Sequence, residues 1–126
     1  MPRKIISTPE QPSSPFFAQA VEAGPFIFVS GTIGIDPATG DLAGQTIQEQ
    51  TRQALHNCAV ILAAAGASLD DVVEVGVLLA NPADRDGMND EVLRTFPTEV
   101  PARYIMKLGV EIPGVLISIR MTAYRG

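Results

Sequence analysis

The sequence contains few of the side chains that build metal and redox sites. Its 126 residues include one histidine, one cysteine and no tryptophan. Metal ions such as zinc are held by clustered histidine, cysteine or carboxylate ligands. No such spacing is present, so we expect no metal site. Cys58 cannot form an internal disulfide, and its helical apolar surroundings favour a small buried side chain over a nucleophile. A cytoplasmic location is the default expectation.

Charge and long apolar runs are also scarce. Charged residues make up 18% of the chain, and the net charge is -5. A nonspecific nucleic-acid binder needs a basic surface that displaces counterions, so we expect no nucleic-acid partner. No apolar run reaches the roughly 18 residues that a membrane span needs. Residues 1–7 hold two cations but no long apolar region, which makes a poor secretory signal. We expect no membrane association.

Nucleotide-binding loops are missing as well. Gly31, Gly34, Gly40 and Gly44 lie in one loop, but they fit neither a dinucleotide fingerprint nor a P-loop. No lysine followed by serine or threonine accompanies them. We expect no cofactor.

The patterns that are present predict one globular domain over residues 1–126, with 46% hydrophobic residues. A first helix begins at the capping box Thr46–Glu49 and ends at Gly66. A second begins with Asn81 as N-cap and ends at Pro97. Six strands are predicted, at residues 5–6, 18–23, 26–30, 72–80, 103–108 and 115–124.

This order of elements predicts an α+β fold, a six-stranded mixed sheet with two helices on one face. Two helices cover one face of such a sheet. The strands at 26–30 and 72–80 are nevertheless apolar on both faces, and a soluble chain rarely leaves such a face in water. Other copies of the chain would bury it, so we predict a homo-oligomer.

The segment at residues 101–104 (PARY) holds the most suggestive polar side chain. Arg103 follows Pro101 and lies at the start of a predicted strand. Its planar guanidinium group can bind a carboxylate or phosphate there through paired hydrogen bonds. The alternative is a structural arginine that pairs with a local acid. His56 lies opposite the apolar stripe of the first helix, has no visible partner, and is predicted to face solvent.

Several short segments, taken in their order and spacing, resemble the RidA family, also called YjgF/L-PSP. The resemblance runs over nearly the whole chain. Its segments are 15–21 (PFFAQAV), 28–33 (FVSGTI), 36–40 (DPATG), 50–57 (QTRQALHN), 88–92 (MNDEV) and 101–103 (PAR).

The resemblance implies a chorismate-mutase-like (YjgF/L-PSP) fold and a homotrimer whose sheets pack into a central barrel. Ligand sites would lie in the clefts between subunits. The implied activity is hydrolysis of reactive enamines and imines, such as 2-iminopropanoate and 2-iminobutanoate, to ketoacid and ammonia. The ligand would be a small anionic metabolite.

The resemblance also implies roles for individual residues. Arg103 would bind the substrate carboxylate, and Ser30 with the backbone near Gly31 would donate or accept hydrogen bonds while an ordered water attacks. Arg103 and Ser30 are thus the predicted catalytic residues. The predicted substrate-binding residues are Arg103, Phe17, Ser30, Gly31, Asn89, Val100 and Arg120.

The sequence departs from the family pattern at two positions. Phe17 replaces a tyrosine, so a hydroxyl is missing. On the last strand the deaminating members read Ile-Glu-Ile-Glu, whereas residues 117–120 read ISIR, and Arg120 replaces a water-positioning glutamate. A proton acceptor is worth roughly 10²–10⁴-fold in rate, and arginine cannot accept a proton in proteins.

Two alternatives remain open for Arg120. It could point into the cleft beside Arg103, where two cations would suit a dicarboxylate or phosphate. It could instead pair with a carboxylate of a neighbouring subunit. The corresponding functions are a hydrolase without the glutamate and a non-catalytic binder of an anionic metabolite. The ribonuclease activity reported under the L-PSP name is disfavoured by the acidic charge balance and single histidine.

Overall fold

The computed structural model describes residues 2–126 as a six-stranded sheet with two helices against one face. The strands are β1 (Lys4–Ile6), β2 (Ala20–Ala23), β3 (Phe26–Ile33), β4 (Val72–Leu79), β5 (Ala102–Lys107) and β6 (Ile117–Tyr124), and the helices are α1 (Ile47–Ala64) and α2 (Arg85–Thr95). The sheet order is β1-β2-β3-β6-β4-β5. β4 and β5 pair in parallel, and the other neighbours are antiparallel. The predicted α+β architecture is confirmed.

The ends of α1 follow from local sequence chemistry. Thr46 Oγ1 accepts a hydrogen bond from the Glu49 amide at 3.2 Å, and the Thr46 amide donates to Glu49 Oε1 at 3.3 Å. This is the predicted capping box. Gly66 has φ of +75°, and the next amide, that of Ala67, donates to the Leu62 carbonyl. Such a C-terminal motif favours glycine at the left-handed position, and the predicted helix end is confirmed.

The second helix begins differently from the prediction. Asn81 caps a 3₁₀ turn, Pro82–Asp84, by accepting a hydrogen bond from the Ala83 amide at 3.0 Å. α2 itself begins at Arg85. A short side-chain cap followed by proline favours a tight first turn, and 3₁₀ turns are frequent at helix N-termini. The inner side chains of this segment, Met88, Val92 and Phe96, are buried.

β3 is longer than predicted because it continues through a β-bulge. Val29 lies opposite Met121 and Thr32 lies opposite Ile119. Ser30 and Gly31 between them therefore both oppose one residue of β6, which is Arg120. The extra residue changes which side chains share a face, and alternation alone does not reveal it.

The face of the sheet away from the helices, called the open face below, carries exposed apolar side chains. Alternation and the pairing register assign to it Ile5, Phe26, Phe28, Tyr104, Met106 and Tyr124, each at least one-third exposed. The opposite face packs on α1 and α2 and forms the core. An apolar open face of this size is what the predicted homo-oligomer would cover.

Neither helix in residues 2–126 has both the length and the apolar character needed to cross a membrane.

Candidate functional site

Arg103 is held at the edge of the sheet without a carboxylate partner. It lies on β5, opposite Val75, so its side chain projects toward the helix layer. Nη1 donates to Asn89 Oδ1 of α2 at 2.5 Å and lies 3.8 Å from Met88 Sδ. Among residues 2–126 no acid lies within ion-pair distance of it. The structural alternative, pairing with a local acid, is therefore not what this chain forms.

The guanidinium of Arg103 opens into a cavity of about 490 Å³. Its lining is mostly apolar and consists of Val75, Asn89, Val92, Leu93, Val100, Pro101 and Arg103. Three predicted site residues, Arg103, Asn89 and Val100, thus lie together. A fixed cation with one amide neighbour inside an apolar wall suits the carboxylate end of a small organic ligand.

A second cavity, of about 160 Å³, brings together three more of the predicted residues at the bulge of β3. Phe17, Ser30 and Gly31 line it together with apolar side chains such as Ile33. Ser30 Oγ donates to the Ala18 carbonyl at 2.5 Å. Its proton is therefore engaged, and the oxygen remains available as a hydrogen-bond acceptor.

The loop that carries Phe17 is fixed by a buried amide network that sequence reasoning missed. Gln19 accepts from the Thr8 amide at 2.8 Å, and its Nε2 donates to the carbonyls of Thr8, Gln11 and Pro12. Asn57 of α1 donates to the carbonyl of Ile33, the last residue of β3, and to that of Ile35 in the following loop. Polar residues within otherwise apolar segments were the available signal, because buried amides need partners.

Arg120 lies on the open face and pairs within the chain. Nη1 is 3.2 Å from Oε1 of Glu74, which is on the neighbouring strand β4, and Nη2 is 3.0 Å from Thr122 Oγ1. The two alternatives for Arg120 were a place in the cleft and a pair with a carboxylate of a neighbouring subunit; within one chain the carboxylate that it contacts is that of Glu74. The sequence does not predict this ion pair, because Glu74 and Arg120 are far apart in the chain and β4 and β6 become neighbours only in the folded sheet.

The predicted site residues of one chain fall into separate groups. Arg120 is opposite Ser30 and Gly31 across the β3–β6 ladder. The Arg103 cavity lies elsewhere, since β6 and β4 separate β3 from β5. Three interstrand spacings amount to roughly 14 Å. A ligand that needs Arg103 together with Ser30 and Gly31 would therefore need two copies of the chain.

The remaining reactive side chains lie outside both cavities. Cys58 is fully buried, and burial raises the pKa of its thiol to about 12. His56 is exposed on α1, as predicted. No three histidine, cysteine or acidic side chains in the described part of the chain come together as a metal site.

The sequence matches the family described as "Endoribonuclease L-PSP" over residues 8–125. The chain belongs to this family, the RidA (YjgF/L-PSP) family. Among its relatives, a RutC family protein of Pyrococcus horikoshii is 41% identical over 109 residues, 86% of each chain. A bovine 2-iminobutanoate/2-iminopropanoate deaminase is 37% identical over 126 residues, covering 98% of this chain and 91% of the relative.

The fold agrees with this assignment to the RidA family. The solved structure of E. coli TdcF with bound serine superposes with a TM-score of 0.87 and 28% identity, covering 98% of this chain and 99% of that one. This chain therefore has the fold of the RidA family.

Proposed function

We propose that this RidA-family protein hydrolyses reactive enamines and imines of small amino acids to ketoacids and ammonia. The observation that carries the proposal is Arg103, a cation without an acid partner, held by Asn89 in an apolar-walled cavity. Two comparisons support it. The bovine relative is named a deaminase of such imines, and E. coli TdcF was solved with serine, a small carboxylate.

Arg103 and Ser30 would bind different parts of the substrate. The guanidinium of Arg103 would hold the substrate carboxylate by charge-assisted hydrogen bonds. Ser30 Oγ, whose proton is engaged by Ala18, would accept a hydrogen bond from the N–H of the protonated imine. Water would then add to the imine carbon. Much of the rate would come from holding water and imine in reactive geometry.

We further propose that the site forms in clefts of a homotrimer. The two cavities lie apart in one chain, and the exposed apolar residues of the open face, such as Phe28 and Met106, would be buried by neighbouring copies. A cavity with Arg103 from one subunit would then meet Phe17, Ser30 and Gly31 from the next. A cytosolic location stays a prediction.

The test is to mix purified protein with freshly generated 2-iminopropanoate and to follow pyruvate release. We expect release faster than without protein, and Arg103→Ala should abolish most of the gain. Arg85→Ala is the matched control, because Arg85 is an exposed arginine outside both cavities. A rate equal to that of the protein-free control, or an Arg103→Ala rate equal to wild type, contradicts the proposal.

A second candidate is non-catalytic binding of an anionic metabolite, and Arg120 favours it. Arg120 puts a second guanidinium, in contact with Glu74, opposite the Ser30–Gly31 bulge, and a ligand with two anionic groups would engage it together with Arg103. A thermal-shift screen of carboxylates and phosphates distinguishes the candidates. Specific stabilisation without pyruvate release favours binding.

The family description also names an endoribonuclease, and this stays the least favoured function. The chain has a net charge of -5 and its single histidine lies outside both cavities. RNA binding that persists at moderate salt would contradict this ranking.

A further inference from the structure

The cavity at the bulge of β3 extends from the candidate site toward α1. At the candidate site it is lined by Phe17, Ser30 and Gly31. Asn57 and Ile61, which lie one turn apart on α1, line it as well. The ring of Phe17 is more than half exposed, whereas Asn57 and Ile61 are buried. The cavity therefore has its outer end beside the predicted site residues and its inner end on the helix.

The volume of this cavity exceeds what a very small substrate needs. It is about 160 Å³, and an apolar cavity of about 150 Å³ binds a whole benzene molecule. The methyl group of 2-iminopropanoate would leave most of the space empty. An isobutyl group, which is smaller than benzene, fits and gains contacts with the surrounding side chains that an empty cavity lacks.

The side-chain donors that line the cavity are already used within the chain. Gln19 and Asn57 donate their amide hydrogens to backbone carbonyls, and Gln11 Nε2 donates to Asn57 Oδ1 at 3.1 Å. The hydroxyls of Ser30 and Thr32 also donate to backbone carbonyls. Within residues 2–126 no charged side chain lines this cavity. A carboxylate placed here would lose its hydration without a cation to replace it, which is costly.

The shape of an imine directs its side chain toward this cavity. The imine carbon is trigonal and carries the nitrogen, the carboxylate and the side chain. In the proposed cleft the carboxylate extends to Arg103 of a neighbouring copy, while the nitrogen lies at Ser30. The third substituent of a trigonal carbon points away from the carboxylate, so it points back into the copy that carries Ser30. The Arg103 cavity is thus the carboxylate end of the site.

We propose that the cavity at the bulge is the side-chain pocket of the hydrolase, and that it selects imines of larger aliphatic amino acids such as leucine. This rests on the proposed function and on its cleft between copies. Ile61 is the residue that sets the depth of the pocket, and Asn57 is fixed beside it by its hydrogen bonds. The pocket accepts an isobutyl group and rejects a carboxylate-bearing group of similar shape.

The experiment uses unmodified full-length protein and imines generated in situ by amino-acid oxidases from alanine, leucine and aspartate. Ketoacid formation is followed, and each rate is corrected for its protein-free rate. We expect kcat/KM for the leucine imine to exceed that for the alanine imine at least tenfold, because one methylene in an apolar pocket is worth about 10–200-fold. The aspartate imine, which has a carboxylate where the leucine imine has an isopropyl group, should be the poorest.

The outcomes separate the pocket from the reaction. If the leucine imine is no faster than the alanine imine, or the aspartate imine is as fast as the leucine imine, the pocket is overturned while the proposed function stands. A fast aspartate imine would favour Arg120 as a second anion site instead. If every imine reacts at its protein-free rate, the proposed function and the pocket both fail.

A variant of α1 tests the inner end of the pocket. Ile61→Phe places a larger side chain there, so the ratio of kcat/KM for the leucine imine to that for the alanine imine should fall about tenfold. Val60→Phe is the matched control, because Val60 is the preceding residue of α1 and lines neither cavity; it should keep the wild-type ratio. An unchanged ratio in folded Ile61→Phe contradicts the role of Ile61. Thermal denaturation checks the fold, and if this variant does not fold, the substrate series on unmodified protein decides.

Discussion

Arg52 of α1 and Glu91 of α2 form a two-point ion pair where the two helices meet. Arg52 Nη2 lies 2.7 Å from Glu91 Oε1, and Nε lies 3.3 Å from Oε2. Arg94 adds a longer contact to Oε1 at 3.6 Å. The Glu91 side chain is 4% exposed, so its carboxylate depends on these partners. The pair joins α1 to α2, and α2 carries Asn89 and Val92 of the Arg103 cavity.

This pair predicts an acid-dependent loss of stability. The hydrogen bonds from Arg52 lower the pKa of Glu91 below its ordinary value of 4.5. A carboxyl with a lowered folded-state pKa stabilises the protein above its unfolded-state pKa, and the contribution disappears as pH falls through the folded-state pKa. The denaturation midpoints of wild type and Glu91→Gln should therefore differ most at neutral pH and converge below pH 4.5.

Glu111→Gln is the control for this experiment. Glu111 is exposed in the loop before β6, so its variant should follow wild type at neutral pH. Both variants must be measured at the same protein concentration, because association of subunits would contribute to the midpoint. A gap between wild type and Glu91→Gln that stays constant down to strongly acidic pH would contradict the ion-pair account.

The parts of the fold that could be predicted depend on neighbours in the sequence. The capping box of Thr46 and Glu49 and the turn at Gly66 are set by residues within one helical turn, and both were predicted at the correct positions. The pair of Glu74 with Arg120 depends on the packing of β4 beside β6 and on their register. No local sequence pattern indicates which strands become neighbours or in which register they pair.

The same difference between local and long-range relations determines which parts of the candidate site could be predicted from the sequence. Arg103 could be singled out because proline, strand start and planar cation coincide within four residues, but this local pattern left a structural role open, and the resemblance to the RidA family favoured ligand binding. The amide network of Gln19 could not, because its partners are backbone groups of Thr8, Gln11 and Pro12, which carry no side-chain signal. The bulge at Ser30 and Gly31 was read as the end of a strand, since its extra residue interrupts the alternation.

Gly34 is predicted to tolerate no side chain, because the backbone of α1 passes directly over it. A methyl group there would lie 2.5 Å from the Gln50 carbonyl oxygen and 2.9 Å from its Cα. These are backbone atoms, so the helix itself would have to move. We expect Gly34→Ala to lower the free energy of unfolding by about 1–3 kcal/mol. Urea denaturation measures this.

Gly109→Ala is the matched control for Gly34→Ala. A methyl group at Gly109 would have no heavy atom within 4 Å, and its backbone is not in the left-handed region. The same substitution should therefore change stability little there. Equal destabilisation by the two alanines would contradict crowding against α1 as the cause, because loss of glycine flexibility alone favours the folded state.

Cys58 is predicted to be unreactive while the protein is folded. Its side chain is fully buried, and burial raises the pKa of the thiol to about 12. Below that pH the thiol stays protonated, and the thiolate is the reactive form. A thiol reagent at mildly alkaline pH should label one cysteine per chain in denaturant and almost none without it. Rapid labelling of folded protein would contradict the buried placement.

Gln19 is predicted to fix the loop that carries Phe17. Gln19→Leu removes the four hydrogen bonds of this side chain with Thr8, Gln11 and Pro12. Each buried group left without a partner costs roughly 1–3 kcal/mol, so we expect a clear loss of stability. Amide exchange in residues 8–17 should also accelerate. Gln45→Leu, at an exposed position, should show neither effect.

Replacing Phe17 by tyrosine is predicted to increase the rate of imine hydrolysis. Its ring is 58% exposed and lines the cavity with Ser30 and Gly31, so an added hydroxyl at its tip remains solvated and costs little. One new hydrogen bond to substrate or water is worth about 1 kcal/mol, which corresponds to roughly fivefold in rate. We therefore expect Phe17→Tyr to release pyruvate from 2-iminopropanoate several-fold faster than wild type.

The neighbouring residue supplies the control for Phe17→Tyr. Phe16 is 91% exposed and does not line the cavity, so Phe16→Tyr adds the same hydroxyl one position away and should leave the rate unchanged. An equal gain in both variants would point to a general effect of tyrosine on the loop. A gain confined to Phe17→Tyr would instead support a reacting imine beside Ser30, because Phe17 and Ser30 line the same cavity.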